Sequence, residues 1–117
     1  MRFVTLFEHG PTWRPGRTVF EQGPAIEAHL DAMRRRYDEG ALLLGGPFDD
    51  DHGGIAVLDA PTGAAAAAMM DSDPAVHAGV LHYRLHRLHA YFDAFASVRA
   101  SEDVAALARR RLAGSRR

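Results

Sequence analysis

Hydrophobic spacing along this chain changes period in a set order: two, helical, two, two, helical, two. "RFVTLFE" sets Phe3, Thr5 and Phe7 against Val4, Leu6 and Glu8 and is rich in β-formers, so it reads as a first strand with both faces largely apolar. "HGPTWRPGRTVFEQGP" holds too many prolines and glycines for a regular element and reads as a long loop. Pro24 suits the first turn of a helix, where Ile26, Leu30, Met33 and Tyr37 recur at the spacing of a buried stripe, and Gly40 closes it. "ALLLGGPF", ended by Gly45, Gly46 and Pro47, and "GGIAVLDA" read as two strands paired around the acidic turn "DDDH". Thr62 is placed to cap a second, alanine-rich helix whose low polarity predicts burial. In "VLHYRLHRL", Leu81, Tyr83 and Leu85 alternate with His82, Arg84 and His86 as a fourth strand.

The order β-α-β-β-α-β predicts an α+β fold of the ferredoxin-like kind, a four-stranded antiparallel sheet with both helices on one face. A chain of 117 residues suits one such domain, expected over residues 1–95, with a helical extension over 96–117. The sheet's other face has no helix to cover it. Either Phe3 and Phe7 or Val4 and Leu6 must lie there, so burial against a second copy, a homodimer, is expected.

Composition narrows the function classes. There is no cysteine, which excludes a disulfide framework, a thiolate zinc site and a cysteine nucleophile. The net charge of −1 gives no bulk field to draw nucleic acid or an anionic membrane, so neither is an expected partner. No apolar run approaches the length of a membrane span, and a cytoplasmic location is the expectation. All 14 basic residues are arginine, several of them in the tail. There a helix is expected from Ser101, with Val104, Leu107, Ala108 and Leu112 on one side. Its arginines suit either a nucleic-acid arm or a surface helix matched to its own dipole; the nearly neutral chain favours the second.

Several short pieces then resemble the YciI-like (YCII-related) family: "HGPTW" after the first strand, "AHL" in the first helix, "DEGALLLGGPF" into the second strand, "GG" opening the third and "DPAVHAG" before the fourth. Together they cover residues 1–87. The resemblance implies a dimeric α+β barrel with clefts between sheets and loops. It also implies an active-site pair made of the "HL" histidine and the "DP" aspartate, here His29 and Asp73, and elimination or isomerisation of small cyclic or aromatic-derived compounds.

The residues themselves leave more open. At about 100° per residue His29 sits at the edge of the apolar stripe, where it suits either proton transfer near neutral pH or a structural hydrogen bond. Asp73, before a proline, is placed to cap the turn "PAVHAG", and a capping aspartate can also orient a histidine. His9, Arg84, His86 and Trp13 are candidate substrate-binding residues. His9 and His86 are expected to share a cleft, while the polar stripe of His82, Arg84 and His86 suits an anionic substrate or hydrogen bonds across a dimer interface equally well. Trp13 and Phe20 suit a hydrophobic lid or an anchor that holds the loop to a partner subunit. His82, His86 and His89 have metal-like spacing, but on a strand the first two stand about 13 Å apart, so no metal site is expected. Elimination and isomerisation need no redox cofactor, and none is expected. An acid/base enzyme and a non-catalytic module binding a small molecule in the same cleft are the two readings that remain.

Overall fold

The computed structural model describes residues 1–96 of the chain; the helix expected from Ser101 and the arginine-rich end lie outside them. The elements are β1 (Arg2–His9), α1 (Pro24–Asp38), β2 (Leu42–Pro47), β3 (Gly54–Asp59), α2 (Gly63–Asp71), α3 (Pro74–His77) and β4 (Leu81–Leu88), with one 3-10 turn at Val19–Glu21. The strands form one antiparallel sheet in the order β2-β3-β1-β4. This is the ferredoxin-like arrangement, with the two sequence-distant strands β1 and β3 at the centre.

Strand alternation settles what each face carries. Phe3, Thr5 and Phe7 are buried on the helix side, joined from β3 by Ala56 and Leu58 and from β4 by Leu81. Ile26 of α1 and Ala66 and Met70 of α2 join that core, with Leu42, Ala60, Ala75 and Val80. Leu58 and Met70 are fully buried, and each such side chain contributes about 1.5–3 kcal/mol of apolar transfer. The odd phase of β1 therefore turns inward, and Val4 and Leu6 take the helix-free face, the one that no helix among the described residues covers, beside Ile55 and Val57.

Local chemistry ends the helices where expected. Pro24 occupies the first turn of α1, Gly40 follows it at φ +82°, and the Thr62 hydroxyl accepts from Ala65 N at 3.0 Å to cap α2. Two expectations need correction. The alanine-rich α2 buries only Ala66 and Met70, because one layer of sheet offers it a single face to cover. Gly45 and Gly46 do not end β2 but pair with Ala56 and Ile55 within it. Close backbone approach is enforced at Gly53 and Gly54: a methyl on Gly53 would overlap the Phe7 carbonyl, and one on Gly54 the Gly46 carbonyl.

The Tyr83 hydroxyl donates to Asp71 Oδ1 at 2.6 Å and ties the end of α2 to β4. That bond, with partial burial second, pushes the Tyr83 pKa up to about 12. The fold thus favours the protonated phenol, so the tie contributes fully below the ordinary tyrosine range near pH 10 and is lost as pH rises through about 12. A tyrosinate absorbance titration should show one tyrosine of the three ionising late, and Tyr83→Phe should remove that late step. A late step that persists in the variant would assign the shift elsewhere.

Candidate functional site

Helix α1 is turned differently from the stripe its apolar spacing predicts. Ile26 is buried, but Leu30 and Tyr37 are 47% and 57% exposed, and His29 lies on the inward side with its side chain only 13% exposed. The inward face is therefore Ile26, His29 and Met33. Leu30 reads as exposed because it borders a hollow rather than packed side chains.

The imidazole is oriented by Asp73. Its Nδ1 lies 2.8 Å from both Asp73 oxygens. An ionised carboxylate only accepts, so Nδ1 carries the proton and donates it, and the neutral ring keeps a bare Nε2. Asp73 is itself 2% exposed and held rigidly. Its Oδ2 accepts from Ala75 N at 3.0 Å and Val76 N at 3.3 Å, capping α3. The backbone before Pro74 is extended, at ψ 131°, which is what lets the side chain fold back over those amides. Capping and orienting are done by one carboxylate. Phe7 meets the His29 ring edge-on, 5.5 Å between centroids, and closes another side.

His29 borders a hollow of about 150 Å³. Its floor is Phe7, Ala56 and Leu81, its roof Ile26, Leu30 and Met33, and its far side the backbone of Gly45, Gly46, Gly53 and Gly54. Trp13, Val19 and Phe20 of the long loop border its mouth, Phe20 being 71% exposed. A cavity of this size and apolarity suits one benzene-sized ring. Asp73 does not line this hollow but borders a second one, with Arg35, Arg36 and Met69.

The loop carrying Trp13 is shaped by Gln22, which sequence reasoning passed over. Its buried amide accepts from Arg14 N at 2.6 Å and donates to Arg14 O at 2.9 Å, with longer bonds to the carbonyls of Arg17 and Thr18. The only signal for it was a glutamine just before the Gly23–Pro24 helix start. Glu21 closes the same arc by accepting from the Thr18 amide and hydroxyl, and those bonds hold its carboxyl below the usual range.

The other expected site residues are dispersed. His9 has the inward phase of Phe7, stacks on Trp13 and does not line the hollow. His86 and Arg84 stand opposite Val4 and Leu6 on the helix-free face, so His9 and His86 do not share a cleft within one chain. Strand alternation separates them, since His86 has the phase opposite to the inward Leu85. Arg84 Nε lies 2.9 Å from Glu8 Oε1 on that same face.

A family model for the YCII-related domain matches residues 1–88. The chain belongs to the YCII-related family. Among solved structures, this YCII-related protein is similar to the 5-chloro-2-hydroxyhydroquinone dehydrochlorinase of Burkholderia phenoliruptrix in complex with 2,5-dihydroxybenzoquinone. The identity is 20% and the TM-score 0.59, over 75% of this chain and 93% of that one. At that identity the likeness is one of fold. A search of curated proteins gives no match.

Proposed function

We propose that this protein is an acid/base enzyme that carries out elimination or isomerisation on a small cyclic or aromatic-derived compound, with His29 as the proton-transfer group and Asp73 as its orienting partner. The observation that carries the reading is a histidine that borders an apolar hollow of about 150 Å³ and has its Nδ1 2.8 Å from a buried carboxylate held by two backbone amides. In an elimination, Nε2 removes a proton from the bound ring, the freed electron pair becomes the new π bond, and an anion leaves from the adjacent position. Asp73 stabilises the imidazolium so formed, and the proton then passes to solvent or to the departing group. No electron is gained or lost overall. Trp13 and Phe7 provide the flat apolar surfaces that a ring needs.

The helix-free face belongs to the same proposal. Val4, Leu6, Ile55 and Val57 form its centre and Leu44 is 54% exposed beside them, an apolar surface that a second copy would bury. Arg84 and His86 then act across that interface rather than on substrate. A cytoplasmic location completes the reading, and no helix among the described residues is long and apolar enough to cross a membrane.

The fold likeness to a dehydrochlorinase makes 2,5-dihydroxybenzoquinone a suitable probe. Trp13 is the sole tryptophan and borders the hollow, so binding should quench its emission saturably. Chlorinated hydroxyhydroquinones are the first substrates to assay, by chloride release. Absence of quenching at millimolar probe, together with no turnover across the panel, would end the enzymatic reading. Saturable binding without turnover would favour the non-catalytic module. Sedimentation of a Leu6→Glu variant tests the dimer: a shift from dimer to monomer is expected, and a monomeric parent protein would refute it.

A further inference from the structure

His9 offers no atom to the hollow, yet it touches both structures that flank the hollow's mouth. Its ring lies 3.8 Å from that of Trp13, with 6° between their planes. Its Nε2 lies 2.7 Å from the carbonyl oxygen of Asp51, which can only accept, so Nε2 carries the proton and donates. Trp13 borders the hollow from the long loop and Asp51 borders it from the β2–β3 turn. Asp51 is also the one described residue other than glycine at positive φ, 61°, a left-handed turn conformation that aspartate adopts more readily than most residues. One imidazole at the end of β1 therefore joins two segments 38 positions apart in sequence, Trp13 and Asp51.

We propose that His9 is a positioning residue: it fixes the Trp13 ring as a wall of the pocket and sets the width of the mouth, without touching the bound molecule. The stack orients Trp13, and the bond to Asp51 orients His9. Between them the loop tip has little freedom to swing away. Trp13 is tied locally by its own amide donating to Gly10 O at 3.1 Å, which fixes its backbone but not its ring. The ring packs against the core cluster, and the stack adds the parallel contact that fixes its plane. The role rests on the proposed ligand pocket, and it deepens that reading by naming what holds the pocket's aromatic wall.

The test uses the emission maximum and anisotropy of Trp13 in ligand-free protein, together with the dissociation constant for the quinone probe used above. Three proteins are compared: the parent chain, His9→Ala and His9→Phe. Removing the ring should move Trp13 emission to longer wavelength, lower its anisotropy and weaken probe binding by about five- to ten-fold, the scale of one aromatic stack. His9→Phe restores a flat ring without the Asp51 bond, and should recover the anisotropy and most of the binding lost in His9→Ala. Thermal melts confirm that all three are folded. Weakened binding in His9→Ala with unchanged ligand-free emission would mean that the imidazole touches the ligand itself, and the positioning role would be wrong. Unchanged emission and unchanged binding would equally overturn it. If the parent chain fails to bind the probe, the proposed function is what fails, while the ligand-free emission still decides whether His9 holds Trp13.

Discussion

Replacing Asp73 by alanine should cost this protein about 2–4 kcal/mol of stability, among the larger effects available to a single substitution here. The carboxylate is 2% exposed and has three partners: the amides of Ala75 and Val76 and the imidazole of His29. Alanine leaves two amides at the start of α3 without an acceptor and removes the group that holds His29 in place. Loss of the cap alone costs about 0.5–2 kcal/mol, and the stranded polar groups add the rest. For a domain of this size the melting temperature should fall by about 10–20 °C. Asp73→Asn separates the two jobs. Its carbonyl can still serve both amides, but its NH2 would then face Nδ1, and the neutral imidazole must move its proton to Nε2. Asp73→Asn should therefore lose about 1 kcal/mol or less while losing most proton-transfer activity. If both variants melt like the parent chain, the carboxylate is not a cap under strain of burial, and the site is less rigid than its contacts imply.

His29→Gln is expected to behave like Asp73→Asn rather than Asp73→Ala. Glutamine is similar in length and can still donate toward Asp73, so stability should change by about 1 kcal/mol or less. Turnover on any accepted substrate should drop by about 10²–10⁴-fold, the usual contribution of a positioned proton-transfer group. Binding of the quinone probe should change only a few-fold, because most of the hollow's surface is hydrocarbon from Phe7, Ile26, Met33 and Leu81. A large loss in turnover with little loss in binding is the signature of an interaction made chiefly in the transition state. Unchanged turnover would take His29 out of the chemistry and leave a structural hydrogen bond.

Much of this architecture was legible because its signals are local. Alternation in "RFVTLFE" and "VLHYRLHRL" identified both long strands, and Pro24, Gly40, Thr62 and Asp73 marked helix ends through backbone chemistry that needs no tertiary context. The rotation of α1 was not legible. Periodicity counts Leu30 as core, whereas a cavity needs apolar walls that remain exposed, and the two demands give one pattern. Gln22 was missed for a related reason, since a buried amide that organises a loop has no period at all. The separation of Arg84 and His86 from His29 was available in principle. Leu81, Tyr83 and Leu85 had to face the helices, so the residues between them had to face away, and α1 with its histidine lies on the helix side.

Nitrogen-15 NMR of the His29 ring, assigned by its absence in His29→Gln, tests the proposed proton-transfer pair most directly. In the neutral ring the proton should reside on Nδ1, and the resonance of the bare Nε2 should shift as the quinone probe is added. A proton found on Nε2, or an Nε2 resonance indifferent to a saturating ligand, would contradict it.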